Sequence, residues 1–372
     1  MRVTNTMLVN NLMRNLNNNF NKVDKLQNMM SSGRKFGHIS DDPIALLYSQ
    51  SARNKIARLE HYQTTVGAAQ KWLDQAESGL MELQRTMADA CISCIDAAHD
   101  GKTDSDKRNI GEVVGQLRAH LVDTLNASFG DKFLYSAYNT PGDPSSAIIC
   151  NDIKPFTVVS GELHFNGFNL SQFDKMPAAL LKVDLSGLSR TAAEDKINAL
   201  GVSLGSLTTD DIIMMHKLKD DLLTFDVGPG INMPVTMNGI DMVLFTNVDE
   251  NGDIVIRNAF SVLTDLYVGT YGDESTAPLT AADLTKIIKP LQDAQGHLLT
   301  KTAEIGGRSR RLELLEARYE QDSINYQGMM SDAEDADMAE VIMRLRMAEA
   351  VMQSAMSAGA RIIQPTLMDF LR

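Results

Sequence analysis

The sequence predicts a mainly α-helical fold with an inserted α+β domain, in which the two ends of the chain form a long antiparallel, coiled-coil-like helical rod. Two long stretches with helical periodicity, separated by a stretch with strand and turn signals, lead to this prediction. The chain has 372 residues, of which 44% are hydrophobic and 22% charged, as is typical of folded globular proteins.

The later long stretch places an apolar residue at every seventh position, at Leu284, Leu291, Leu298, Ile305, Leu312, Tyr319 and Tyr326. A sustained heptad predicts a long helix that packs along its length on another helix. Thr280 and Asp283 have the spacing of a capping box, so we expect the helix to begin there. Gly328 is expected to interrupt the pattern.

The partner of this helix is predicted earlier in the chain. Two acids precede Pro43, as at the start of a helix, and from Ile56 to Ala97 apolar residues recur at steps of three and four. The seam of the rod is predicted to consist of Leu73, Leu80, Leu83, Leu291, Leu298, Ile305 and Leu312.

Both ends of the chain carry further amphipathic helices. Residues 4–30 are rich in Asn, a poor helix former, so this helix should need a partner. The final helix is expected from Asp337 towards Ile363. We predict an assembly interface made of Leu8, Leu12, Leu16, Phe20, Leu345, Met352, Met356, Ile362, Leu367 and Phe370.

The middle of the chain changes in composition. A helix is predicted over Ser105–Ala127, and hairpins at Phe156–Val159 with Glu162–Phe165 and at Met242–Thr246 with Ile254–Ile256. Helices are expected from Thr191 and over Asp210–Phe225, while Asn258–Val268 is a helix or a strand. The predicted domains are 1–42 with 332–372 for assembly, 43–140 with 276–331 for the rod, and 141–275 inserted.

Charge and hydropathy exclude several classes of function. The net charge of −13 argues against a nucleic-acid-binding or anionic-membrane-binding surface. No apolar run of about 18 residues predicts a membrane span, and residues 1–30 lack the pattern of a cleaved signal peptide. We therefore expect neither nucleic acid nor membrane as a partner.

Sites for catalysis, cofactors or metals are not predicted. Cys91 and Cys94 form a CxxC inside a long helix, where they are small core residues, a redox pair, or zinc ligands with His99. Asp249–Asp253 fails the spacing of a calcium loop and is predicted to be a hairpin turn. The acidic group of Glu334, Asp335 and Asp337 binds a cation or, as we favour, stabilises the start of the last helix.

Several segments resemble the bacterial flagellin family. Met30–Lys35 resembles its Ser-Ser-Gly segment, Ser331–Asp337 its Glu-Asp-Ala-Asp segment, and Ile305–Glu313 a Gly-Ala-Arg stretch, from which it departs at Gly307. Asp41-Asp42-Pro43, Gly130–Ala137 with Pro155-Phe156, and Gln364–Arg372 are similar to the branch of the family that joins hook and filament. The resemblance covers residues 1–140 and 280–372.

The resemblance implies a flagellin-like fold and a structural role outside the cell, without catalysis. Expected partners are further copies of the chain, a hook-side junction protein, filament flagellin, an export chaperone and the type III export apparatus. The terminal helices would pack as coiled coils with neighbouring subunits. A filament flagellin and a rod-mounted adhesin remain as alternatives.

Overall fold

A computed structural model describes residues 5–38, 40–130, 132–136, 154–183, 185, 190–199, 207–220, 222–249, 252–272 and 278–363. The chain divides into two compact units, Met1–His61 with Ala317–Arg372 (unit 1) and Tyr62–Glu316 (unit 2). The three-part division predicted from the sequence stays a prediction.

Helices dominate both units, which confirms the mainly helical class with strands in the middle. They are α1 (Asn5–Ser32), α2 (Pro43–Ala97), α3 (Asp104–Leu125), α4 (Ala179–Lys182), α5 (Arg190–Ala199), α6 (Thr209–Asp220), α7 (Gly239–Val243), α8 (Ala259–Tyr271), α9 (Ala281–Glu334) and α10 (Met338–Ile363). A 3-10 turn lies at Ser171–Phe173.

The two long helices begin at the predicted capping residues. Oδ1 of Asp42 accepts the backbone N–H groups of Ile44 and Ala45 at 3.1 and 3.0 Å and so caps α2. At the start of α9, Oγ1 of Thr280 donates to Oδ2 of Asp283 at 2.7 Å. α9 continues to Glu334 through Gly328, where we expected an interruption. A single glycine costs a helix only about 1 kcal/mol, so the helix tolerates it.

All strand pairs of unit 2 are antiparallel hairpins or bridges among the described residues. They are β1 (Ser128–Phe129) with β2 (Lys132–Phe133), β3 (Phe156–Val159) with β4 (Glu162–Phe165) and β5 (Phe168–Asn169), β6 (Thr224–Gly228) with β7 (Ile231–Pro234), and β8 (Leu244–Val248) with β9 (Ile254–Asn258). The predicted bounds of β3 and β4 are confirmed. Their turn has positive φ at Ser160 and Gly161, 54° and 85°.

Two predicted elements of the middle region differ in the structure. α6 ends at Asp220, and Phe225, predicted to be helical, lies in β6. The turn at Gly228–Gly230 allows β6 to pair with β7, and this tertiary pairing overrides the local helical pattern. The segment Met242–Val243, predicted to be strand, belongs to α7. The region after Asn258 is helical because the Asn258 side chain accepts the N–H of Phe260 at 2.9 Å and caps α8.

Candidate assembly interface

The helices of the two chain ends pair within unit 1. α1 and α10 pack side by side, and a Cβ atom on the buried Gly359 would lie 2.9 Å from Cδ2 of Leu12. Val341 and Leu345 of α10 are buried, as is Val23 of α1. The glycine therefore leaves room for the end of the Leu12 side chain where α1 begins and α10 ends.

The predicted interface residues divide between the inside and the outside of this pair. Leu345 is buried, whereas Leu12, Leu16 and Met352 are half-buried. Phe20 and Met356 are 49% and 42% exposed. The side chains of Leu8 and Ile362, and the residues Leu367 and Phe370, lie outside the described residues. Assembly through these ten residues stays a prediction.

A second apolar stripe was missed in the sequence. Met343, Met347 and Val351 follow one another at intervals of four on α10 and are 57%, 57% and 54% exposed. Residues four apart lie on one face of a helix, so they form a continuous outer stripe. The spacing of four residues is visible in the sequence, but only the face of α10 that carries Val341 and Leu345 was predicted to be apolar.

The carboxylate of Glu334 connects distant segments of unit 1. The residue is 5% exposed, its Oε2 accepts the Oγ–H of Ser49 at 2.9 Å, and Nη2 of Arg53 lies 2.6 Å from both carboxylate oxygens. Nε of Arg34 lies 2.8 Å from Oε1. Burial acts to raise the pKa of Glu334, but the hydrogen bonds and charges of its partners outweigh it and lower the pKa below its usual range.

This environment corrects the role predicted for the acidic group. Glu334 ends α9 and pairs with arginines instead of lying at a helix start. Asp337 does have the predicted role, because its Oδ1 accepts the N–H groups of Ala339 and Glu340 at 2.9 and 3.3 Å at the start of α10. The two acids, three positions apart, thus serve different elements.

Backbone hydrogen bonds hold the segment after α1 against the end of α9. The N–H of Lys35 donates to the carbonyl of Glu334 at 2.7 Å, and the N–H of Ala336 to that of Gly33 at 2.8 Å. Gly33 has a φ of 70°, which favours glycine. The Ser-Ser-Gly segment and the Glu-Asp-Ala-Asp segment, noted separately in the sequence, are therefore neighbours in unit 1.

A groove of about 620 Å³ borders α1 and α10, with Leu26, Met29, Phe36 and Val341 on its apolar side. Asp41 also lines the groove. The Nζ of Lys25 donates to Asp41 at 2.8 Å, and with the N–H groups of His38 and Gly37 it lowers the pKa of Asp41 to about 2. A carboxylate is therefore fixed in its charged form in a groove that both apolar and charged side chains line.

In unit 2, α2 and α9 lie antiparallel to each other. Nε2 of Gln70 donates to Glu316 at 3.0 Å, and Nε2 of Gln84 donates to Oγ1 of Thr302 at 2.9 Å. All seven predicted seam residues are nearly inaccessible to solvent, namely Leu73, Leu80, Leu83, Leu291, Leu298, Ile305 and Leu312. Supercoiling of the two helices into a rod stays a prediction.

The CxxC cysteines are buried in the interior of α2. Cys91 and Cys94 are free thiols, and Sγ of Cys94 donates to the carbonyl of Leu284 at 3.3 Å. Burial raises the pKa of Cys94 to about 12, the opposite of what a redox-active thiol requires. Within the described ranges, no cluster of three or more His, Cys, Asp or Glu residues could hold a metal ion. This environment favours the interpretation as small core residues.

The Asp249–Asp253 segment lies between β8 and β9, and its residues 250 and 251 lie outside the described residues. The N–H of Asp249 donates to the carbonyl of Asp253 at 2.8 Å, and Gly252 has a φ of 83°. These are the features of a hairpin turn. None of the helices in the part of the chain that the structure describes has the length and apolar character that a membrane span requires.

Residues 3–140 match the family model of the bacterial flagellin N-terminal helical region. The chain is 22% identical over 396 residues to a flagellin of Clostridium tyrobutyricum, covering 98% of this chain and 100% of the relative. It is 22% identical over 362 residues to flagellar hook-associated protein 3 of Escherichia coli K12, covering 96% of each chain.

A solved structure is similar in fold. A putative flagellar hook-associated protein from Vibrio parahaemolyticus superposes with a TM-score of 0.55 at 15% identity, over 79% of this chain and 100% of that chain. The similarity therefore extends beyond the N-terminal helical region to most of the fold.

Proposed function

We propose that this chain, whose residues 3–140 match the family model of the bacterial flagellin N-terminal helical region, is a structural subunit of the flagellum and forms the junction between hook and filament. The pairing of α1 with α10, with apolar side chains left on the outer faces of both helices, is the observation that carries the proposal. The near full-length similarity to a flagellar hook-associated protein 3 supports it.

The outer faces of unit 1 give the proposal its physical basis. Phe20 on α1 and Met343, Met347 and Val351 on α10 expose large apolar surfaces that neighbouring subunits would bury. Burial of apolar surface contributes about 25 cal/mol per Å², so such a stripe drives association. We propose that the residues predicted for assembly form this interface with the stripe, as coiled coils between copies.

The partners follow from the same role. Copies of this chain would pack with one another, with the hook-side junction protein and with the first subunits of filament flagellin, outside the cell. An export chaperone would cover the C-terminal segment before export by the type III apparatus. We further propose that α2 and α9 form the rod and that residues 141–275 form an outer domain. No catalytic role is proposed.

Filament flagellin is the second candidate, because the flagellin of Clostridium tyrobutyricum matches the chain over its full length. Quantitative mass spectrometry of sheared flagella distinguishes the two. A junction protein is a trace component that antibodies localise to the hook-proximal end, whereas the major protein along the whole filament would be a flagellin. A rod-mounted adhesin would lose its role on deletion of residues 145–275, whereas a junction role should survive.

The interface itself is tested by charge insertion. Met343→Asp combined with Met347→Asp should abolish joining of filaments to hooks while α2 and α9 stay folded, as should removal of residues 1–40 or 338–372. Met214→Asp is the matched control, since Met214 is 45% exposed on α6 in unit 2. Normal joining by the double variant would contradict the assignment of this stripe.

A further inference from the structure

Strand β8 is an open edge of unit 2. Among the described residues it pairs only with β9, in a continuous antiparallel register from Leu244 to Val248. The other side of β9 is covered, because the N–H groups of Lys175 and Ala178 donate to the carbonyls of Ile256 and Ile254 at 2.7 and 3.0 Å. The two edges of the hairpin therefore differ, since one is satisfied within the chain and the other is open.

The main-chain groups of Thr246 and Val248 point away from β9. In an antiparallel pair, residues that bond to the partner strand alternate with residues whose N–H and carbonyl groups point outwards. Ile256 and Ile254 bond to the segment on the far side of β9, so their direct partners Thr246 and Val248 point to the opposite side. In the part of the chain that the structure describes, these two N–H and two carbonyl groups have no hydrogen-bond partner.

Solvent reaches this edge of the hairpin. Thr246 is exposed, and Val248 is 51% exposed. Val248 also lines a cavity of about 500 Å³ whose lining includes Thr285 and Pro290 of α9. Open space therefore lies between Val248 and α9, and there is room for another strand beside β8.

β8 lacks the features by which natural edge strands avoid pairing. Such strands carry a lysine or a proline, contain a bulge, or are covered by another element. β8 has no charged residue and no proline, and its register is regular. By contrast, the register of β6 shifts between Asp226 and Gly228. Val248 lies directly opposite Ile254, which is 54% exposed, so the end of the hairpin also presents apolar surface.

We propose that β8 pairs with β8 of a second copy of the chain, about a two-fold axis at Asn247. Antiparallel pairing centred there places Thr246 opposite the second copy's Val248, and Val248 opposite the second copy's Thr246. Each such pair exchanges N–H and carbonyl groups, so every open group of both edges is satisfied. A two-fold interface requires a surface that is complementary to itself, and the two open residues lie symmetrically about Asn247.

The charges near β8 permit this pairing. Asp249 directly follows the strand, and the antiparallel arrangement places the Asp249 residues of the two copies at opposite ends of the paired segment. Four residues along a strand span about 13 Å, which exceeds the Debye length of about 8 Å at physiological salt. Repulsion between the two carboxylates is therefore screened. The pairing lies in unit 2 and does not depend on the proposed junction role.

The test is sedimentation velocity of the full chain with Met343→Asp and Met347→Asp, which remove association through the outer stripe of α10. We expect a reversible dimer with a dissociation constant on the order of 0.1–1 mM, because only a few hydrogen bonds form it. Val248→Lys should weaken the dimer at least about tenfold, because a lysine blocks an edge. Its melting temperature should not change, since the side chain is half-exposed.

Ile254→Lys is the matched control. Ile254 is as exposed as Val248 and lies beside it, but it belongs to β9, whose outer edge is covered. The dimer of this variant should have the dissociation constant of the parent chain. The control therefore separates loss of the β8 edge from the effect of an added positive charge.

Cysteine cross-linking tests the register in the same background with Cys150→Ser. Chains with Thr246→Cys are mixed with chains with Val248→Cys and oxidised by glutathione disulfide. The proposed pairing holds the two positions about 5.5 Å apart between Cα atoms, within the range of a disulfide. The mixture should therefore form cross-linked dimers, whereas in either chain alone the cysteines lie about 7–8 Å apart on the diagonal and should not react.

Three results would overturn the proposal. The first is that the parent chain stays monomeric at about 1 mM, well above the concentration at which the pairing should form. The second is that Val248→Lys dimerises as strongly as Ile254→Lys. The third is that either cysteine chain alone cross-links as well as the mixture does, which would indicate a different register.

Discussion

The Oγ–H of Ser49 donates a 2.9 Å hydrogen bond to Oε2 of Glu334, a residue 285 positions later in the chain. The bond joins the beginning of α2 to the end of α9. Arg34, which follows α1, and Arg53 on α2 approach the same carboxylate at 2.8 and 2.6 Å. One buried carboxylate thus connects three separate segments of unit 1.

Glu334→Gln should loosen unit 1 without unfolding unit 2. The amide keeps the shape of the side chain but loses its negative charge. The charge-assisted hydrogen bonds that are lost contribute only about 1.5 kcal/mol to the stability of unit 1, because both arginines are half-exposed and solvent screens their charges. Amide hydrogen exchange in α1 and α10 should accelerate by roughly tenfold. Glu313→Gln, which removes an exposed pair with Arg310 on α9, should leave exchange unchanged. Equal exchange in both variants would refute the role of Glu334.

Low pH should destabilise unit 1 because Glu334 becomes protonated. The pKa of Glu334 is lowered in the folded chain, so the unfolded chain takes up the proton first. The contribution of Glu334 to stability is therefore complete above the usual carboxyl pKa and is lost as the pH falls through the lowered one. Hydrogen exchange of α10 measured from pH 6 downwards should show this loss. Glu334→Gln should have a smaller pH dependence over the same interval, and an identical dependence would contradict the prediction.

Gly79→Ala should destabilise unit 2, whereas Gly67→Ala in the same helix should stabilise it. A Cβ atom on Gly79 would lie 2.2 Å from Oη of the fully buried Tyr135, whose hydroxyl donates to the carbonyl of Ala76 at 2.8 Å. Overpacking of this kind costs about 1–3 kcal/mol. A Cβ atom on Gly67 meets nothing within 4 Å, so alanine there gains up to about 1 kcal/mol of helix propensity.

Urea unfolding of the two variants measures both effects. Tyr135→Phe in the background of Gly79→Ala should recover part of the loss, because it removes the atom that clashes. If Gly79→Ala proved as stable as Gly67→Ala, the close approach of Tyr135 to α2 would be refuted.

Leu12 and Gly359 should be energetically coupled. Gly359→Leu places a large side chain against Leu12 and should lower the stability of unit 1 by about 1–3 kcal/mol. Leu12→Ala alone leaves unfilled space between α1 and α10. The loss of stability in the double variant should be smaller than the sum of the two single losses, by at least about 0.5 kcal/mol. The free energies of opening are measured by hydrogen exchange of the α1 amides. Gly359→Ala is the control, since its Cβ meets only the flexible end of Leu12. If the two free-energy changes were strictly additive, the contact between Leu12 and Gly359 would be contradicted.

The long helices could be predicted because their signals are local and repeated. Each of the seven seam residues is buried, since a heptad constrains the same face of the helix turn after turn. The β3–β4 hairpin was found with its bounds because Ser160-Gly161 is a strong turn signal between β-branched and aromatic residues. Phe225 was misassigned because a helical pattern extended into a strand whose partner, β7, lies beyond the turn.

The candidate site was less predictable. The acids of Glu334–Asp337 were visible in the sequence, but their partners Arg34, Ser49 and Arg53 lie near the other end of the chain and follow no spacing rule. The sequence specifies which faces are apolar, whereas the identity of each face's partner requires the fold.

The pairing of α1 with α10 has a consequence for the order in which the protein forms. α1 ends at Ser32 and its partner begins at Met338. At a synthesis rate of about 5–20 residues per second, roughly 15–60 s separate the two helices on the ribosome. Because the Asn-rich α1 has low helix propensity alone, its apolar face acquires a partner only near the end of synthesis. Copies of the chain therefore emerge with unit 1 incomplete, and premature self-association is delayed until nearly the whole chain has been made.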